Sequence, residues 1–274
     1  MTRVVVTVLK YVGLVIASVL ILLPLVTLLF AAFKTKAEYS TTSAFTPPRD
    51  WFNFQNFRIA FVEGQMLSGI LNTGIIMLVS LAGTTFLGTF VAYAVDRFAL
   101  RGRRIVLGGF LLAALIPSVT TQVATFQIIN ALGIFDTRGA AILLFIGTDV
   151  VAVYIFLQFM AAIPKTLDEA ARVDGAGHFR IYWRIILPLL RPAIATTLII
   201  KGIAIYNEFY IPFLYMPSPE LSTISTSLYH FKGPFGADWQ IIAAGTIIVI
   251  LPSLMLFAAL QRFIYRGLTA GAVR

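Results

Sequence analysis

Three charged residues interrupt apolar stretches of the chain: Asp149 within residues 139–163, and Lys201 and Glu208 within residues 193–213. An ionisable group in such a setting is costly and belongs in a cavity or against a partner. Asp149 and Lys201 could pair with each other, line a polar pathway, or serve some other role that the sequence does not define. A second set, Gln122, Gln127, Asn130, Tyr206, Asn207, Glu208 and Tyr210, combines amide, hydroxyl and carboxylate groups with flat aromatic faces. That mixture suits sugar hydroxyls and pyranose rings, although polar groups also join neighbouring membrane helices. A third set, Thr166-Leu167-Asp168-Glu169, has the spacing of a helix-capping box: the Thr166 hydroxyl would accept from the Glu169 amide.

Much chemistry is excluded. The chain has no cysteine and only two histidines, His178 and His230, so thiolate chemistry and a multi-histidine metal cage are out. No Gly-rich phosphate loop is present. Nor does a nucleophile–base pair suggest an intramembrane enzyme.

The elements carrying these residues are membrane helices. Of 274 residues, 59% are hydrophobic and 12% charged, and the mean hydropathy is +0.89. Runs 11–33, 66–95, 105–135 and 239–261 contain no Asp, Glu, Lys or Arg. Each exceeds the roughly 20 residues that cross a bilayer core. Runs 139–163 and 193–213 make six. Strand-like alternation is missing, and only helices or closed barrels satisfy the backbone in lipid. The expectation is an all-α, polytopic membrane protein with six transmembrane helices in a single domain over residues 1–274. The first run is longer than the apolar part of a signal peptide and is read as a retained membrane helix.

Basic residues fix the predicted orientation. Fourteen Lys and Arg fall on the side of both termini, against six on the other. Positive-inside bias therefore puts both termini in the cytoplasm. The net charge of +9 is then topological, and nucleic acid is not expected as a partner. Residues 34–65 form a long outer loop, with Pro47-Pro48 and Trp51-Phe52-Asn53-Phe54; such aromatics often rest at the membrane interface.

The cytoplasmic loop 164–192 is the most informative segment. Asp168 and Glu169 suit the positive end of a helix dipole, Gly175 offers a left-handed stop, and a second helix over about 179–186 should end before Pro188. The result is a compact helix–turn–helix knuckle. The string Glu169-Ala170-Ala171-Arg172-Val173-Asp174-Gly175-Ala176, followed by Trp183-Arg184-Ile185-Ile186-Leu187-Pro188-Leu189 and Pro192-Ala193, closely resembles the signature loop of permease subunits from binding-protein-dependent ABC importers. Asn72-Thr73, Leu132-Gly133-Ile134-Phe135-Asp136-Thr137, Tyr206-Asn207-Glu208-Phe209 and the tail from Gln261 to Val273 resemble the carbohydrate branch, in particular the maltose-transporter family's G-type subunit.

That resemblance implies a coupling helix seated in a cleft of a cytoplasmic ATPase, with Glu169, Ala170, Ala171, Asp174 and Gly175 as coupling residues and Thr166 as cap. It also implies a second homologous permease, two ATPase subunits (homodimer or heterodimer) that bind ATP and Mg, and an extracytoplasmic sugar-binding protein, all at a bacterial or archaeal cytoplasmic membrane. No cofactor is expected in this chain, and an oligosaccharide is the expected cargo. A glycerol 3-phosphate importer shares the architecture. An ion-coupled secondary transporter using Asp149 is the contrasting class, disfavoured because no paired broken helices mark an inverted repeat.

Overall fold

Where the apolar runs lack a breaker they fold as single long helices; where proline or a polar cluster intervenes they break. The computed structural model describes residues 2–98, 102–147, 150–233 and 236–272. The order is α1 (Thr2–Phe33), α2 (Lys36–Thr41), α3 (Gln55–Glu63), α4 (Met66–Arg97), α5 (Arg103–Leu115), α6 (Ser118–Ala131) and α7 (Arg138–Gly147). It continues with α8 (Val150–Ala161), α9 (Thr166–Val173), α10 (His178–Ile181), α11 (Leu187–Leu189), α12 (Arg191–Asn207), α13 (Tyr210–Tyr215) and α14 (Trp239–Ala272). One two-residue hairpin, Lys232–Gly233 against Gly236–Ala237, accompanies them. The all-α expectation therefore holds.

The six predicted runs all lie on helices, but the helices are less regular than the sequence suggested. By length and composition, Val5–Phe33 and Met66–Arg97 can each cross a bilayer, and up to five crossings result if each bent pair is one span. Helices α5 and α6 meet at 106°, α7 and α8 at 44°, and the segment His178–Leu189 meets α12 at 69°. The run 239–261 contributes the shorter apolar stretch Trp239–Met255 of α14.

Pro117 explains the sharpest of these bends. Proline pushes its predecessor out of the helical region, and Ile116 is extended at ψ 117°. Pro188, by contrast, does not end the second loop helix as expected. Tyr182–Ile186 winds as a π-helical turn whose wider ring passes the Leu187 N–H to the Tyr182 carbonyl. The chain then carries Pro188 into α11, near its start. Such single π turns absorb a misfit without breaking the helix.

The chain packs as two units. One combines Met1–Leu67 with Ser227–Phe257. Ala32, Ala243 and Ala244 with Phe57 form one of its clusters, and Ala60, Met66 and Ile241 with Leu228 and Phe231 another. The end of α1 is capped from the loop that follows it: the Asn56 amide donates to the carbonyls of Ala32 and Lys34, both at 2.8 Å, and Asn53 to that of Phe33. Trp51 stacks edge-on against Phe30, whereas Phe52 is fully open to the outside. The Lys36 ammonium lies 2.8 Å from Asp238, just ahead of α14. Hydrogen-bonded to it, that ammonium holds the Asp238 carboxyl below its ordinary value, against a smaller opposing effect of burial. From Val5 to Val26 every residue of α1 is exposed.

The second unit combines Ser68–Thr226 with Ala258–Arg274. Its largest core joins Ala92, Tyr93 and Val95 of α4, Phe156 and Met160 of α8, and Ala171, Ile181, Tyr182 and Ile186 of the loop 164–192.

Candidate functional site: a mounted coupling loop and a polar cleft

The coupling loop is shaped by its two helix ends. At the start of α9 the structure corrects the capping box. Lys165 is the cap residue and makes no side-chain cap bond. The Asp168 and Glu169 amides donate to the Lys165 carbonyl, at 3.0 and 3.1 Å. Thr166 is already helical, so its hydroxyl is past the position from which it could cap. At the other end the expectation holds in detail. Gly175 sits at φ +78°, its N–H donates to the Arg172 carbonyl, and the Ala176 N–H to that of Ala171. These are the paired bonds of a Schellman motif.

The faces of α9 then sort its residues. Asp168 and Ala171 are buried, while Leu167, Glu169, Ala170, Val173 and Asp174 are exposed. Ala171, expected among the coupling residues, therefore packs into the chain's own core and seats the helix. Val173 at 88% and Phe179 at 67% are the most exposed apolar groups of the loop. The sequence reading passed over both, because it followed the charged and glycine positions.

The loop is mounted on the end of α4. Arg97 lies with its side chain 3% exposed. It donates to Asp96 at 2.8 Å and to the Ile163 carbonyl at 2.9 Å. Its Nε stands 3.1 Å from Asp168; this is charge against charge, off the line of a hydrogen bond. Further along, the Tyr93 hydroxyl reaches the His178 carbonyl at 3.4 Å, and Thr89 and Tyr182 share a hydroxyl bond of 2.8 Å. In the sequence Arg97 counted only as a positive-inside charge; its acidic neighbour Asp96, closing a long uncharged run, was the available signal.

A polar cleft of about 500 Å³ forms where the helices break. Gln122 of α6 and Glu208 and Tyr210 around the start of α13 line it, together with Thr121, Thr125 and Tyr215. Those last three were not anticipated, although Thr121 and Thr125 share a helical face. The Tyr210 hydroxyl donates to Gln122. The Glu208 carboxylate accepts from the amides of Tyr210 at 2.8 Å and Ile211 at 3.2 Å, so it caps α13 as well as facing the cleft. Gln127 and Asn130 are exposed elsewhere on α6. Asn207 bonds back to the Ile203 carbonyl of its own helix, and neither it nor Tyr206 lines the cleft. Lys201 is half-buried on α12. Asp149 lies outside the described residues, and its expected pairing with Lys201 with it.

In the same unit, other motifs that carried the resemblance make a latch. The buried Asn72 amide donates to the Glu220 and Ser222 carbonyls and accepts from Arg138. The Thr73 hydroxyl accepts from the Ile224 amide. Asp136, at φ +56°, accepts from the backbone and hydroxyl of Ser218.

Apolar helices long enough to span a bilayer and broken helices around a cleft are those of a multi-pass membrane protein. The chain belongs to the family of binding-protein-dependent transport system inner membrane components, whose model matches residues 2–270. It is 30% identical to the melibiose/raffinose/stachyose import permease MelC of Bacillus subtilis (strain 168), over 92% of this chain and 91% of that one. With the galactooligosaccharide transport permease GanQ of the same organism the identity is 31%, over 97% and 94%. A solved bacterial ABC transporter involved in importing the acidic polysaccharide alginate shares the fold at a TM-score of 0.81 and 17% identity, covering 96% of this chain and 97% of that one.

Proposed function

We propose that this chain is one half of the translocation pathway of an ATP-driven carbohydrate importer, and that both of its packing units act as one permease. The reading is carried by the closed, outward-facing α9 knuckle of a chain that matches its family from residue 2 to residue 270. Leu167, Glu169, Ala170, Val173 and Asp174 form the surface offered to an ATPase subunit, with Val173 the apolar anchor. ATP and Mg bind on that partner, and the chain itself is not an enzyme. Two ATPase subunits, a second permease and an extracytoplasmic binding protein complete the assembly. Both termini face the cytoplasm, on the side richer in Lys and Arg.

Relatives named for oligosaccharides support a similar cargo here. The cleft at Gln122, Glu208 and Tyr210 has the donors, acceptors and ring faces that such a cargo needs. ATP moves the bundle only through its different affinity for two conformations, so a helix that transmits force must be stiff and short, as α9 is.

The test is affinity purification of tagged protein from its native membranes, for wild type and Glu169→Arg. Wild type brings down an ATPase and a second permease; the variant loses the ATPase alone. Repeated mild preparations of wild type without an ATPase would sink the reading.

A further inference from the structure

We propose that Arg97 is the positioning residue that locks the coupling helix to the end of α4, so that α9 and α4 move as one body; this rests on the importer reading above. Asp168 and Ala171 are the residues of α9 buried toward the chain. Ala171 supplies a smooth methyl contact, which permits sliding. Asp168 supplies the specific tie.

Its carboxylate is 1% exposed and, among the described residues, accepts no hydrogen bond. The Arg97 guanidinium is the cation beside it. Among the described residues Arg97 is the one cation within ion-pair distance of this buried carboxylate, and its loss leaves the charge poorly compensated.

Arg97 reaches three elements at once. It holds Asp96 beside it on α4, Asp168 on α9, and the carbonyl of Ile163 where the chain leaves α8. A planar fork with separated donors can do this; the compact ammonium of lysine cannot reproduce the three directions. The far end of the loop is fixed to the same turns of α4. There Tyr93 reaches the His178 carbonyl, and the Phe98 and His178 rings lie 4.9 Å apart. Both ends of the knuckle are therefore bolted to one membrane helix. Stability alone does not account for the charges, since packed apolar side chains of similar volume serve as well as a buried ion pair. What the pair adds is a single register for α9.

The experiment uses the complete transporter, with its ATPase subunits and binding protein, reconstituted in liposomes. Arg97→Lys, Asp168→Asn and the uncharged pair Arg97→Met/Asp168→Leu are compared with wild type for ATPase retention, ATP hydrolysis and uptake. The expected result is retained ATPase and continued hydrolysis, with uptake per ATP falling on the order of tenfold in the single variants, within the usual range of coupling between sites. A second measurement places spin labels at Leu87→Cys and Gly177→Cys. The chain has no cysteine of its own, and a side chain at Gly177 meets no atom within 4 Å. One label distance should persist with and without ATP in the wild-type background and broaden in Asp168→Asn.

Parallel loss of hydrolysis and uptake would reduce Arg97 to a structural residue. An ATP-dependent change in the wild-type label distance would show a loop that hinges on α4, and would overturn the lock. So would an uptake ratio indifferent to all three substitutions in a complex that carries its ATPase. A wild-type complex without ATPase would instead bring down the importer reading, and the lock's role with it.

Discussion

Side chains and backbone conformations that look alike in the sequence carry very different weight in this chain. Asp238 and Asp168 are both paired carboxylates, but Lys36 is largely exposed whereas Arg97 is buried. An exposed pair is screened and contributes at most about 1 kcal/mol. The Asp238 carboxyl lies below its ordinary value, so its contribution is fully present above that value and is lost as pH falls through the lowered one. Between pH 5 and 8 nothing changes. Asp238→Asn should therefore shift the thermal midpoint of purified protein only slightly, by the same amount across that range. Gly175 is a stronger case. It sits at φ +78° with no atom within 4 Å of an added Cβ, so Gly175→Ala meets no clash and costs conformation alone, about 1–2 kcal/mol. Thermal unfolding of the detergent-solubilised protein should show that loss, and Gly175→Asn a smaller one, because asparagine tolerates the left-handed region.

Helix breaks are where the sequence and the structure part company, and where the cleft is made. Pro117 turns the chain by 106° between α5 and α6, which helps aim Thr121, Gln122 and Thr125 at the cleft. In Pro117→Ala, Ile116 can return to helical ψ, and α5 can run on into α6. The expected outcome is reduced uptake with the ATPase still bound, measured on reconstituted complex; unchanged uptake would detach the cleft from transport. The apolar runs and the Gly175 stop were legible because burial and left-handed backbone leave composition and spacing behind them. The capping role of Thr166 was misplaced by one residue, since a carbonyl at Lys165 does what the hydroxyl was expected to do. Arg97 and Asp168 stand 71 positions apart in the sequence, and no local pattern announces a pair made only by packing. The cleft was half legible: polar residues were visible, but which of them converge depends on where α6 and α13 begin.

At the scale of the molecule, α1 is covered by the described residues only toward its end, around Ala32. Every residue from Val5 to Val26 is exposed, and an 18-residue stretch within Val5–Phe33 has a mean hydropathy of 2.9. Lipid satisfies such a surface without any protein, and hydrophobicity alone brings no two helices together inside a bilayer. Association there comes from close packing, which small residues four apart allow. Gly13 and Ala17 have that spacing, and an added Cβ at Gly13 meets nothing within the chain. The second permease of the proposed assembly is therefore expected to pack along this stripe. Photo-reactive labels attached at Ala17→Cys, in a chain otherwise free of cysteine, should cross-link to the second permease in native membranes; labels at Val15→Cys, on the opposite face of the helix, should do so less. Gly13→Leu should reduce co-purification of the second permease severalfold while leaving the ATPase on the coupling loop. If both labels instead find only lipid, α1 is an anchor and the two permeases meet elsewhere.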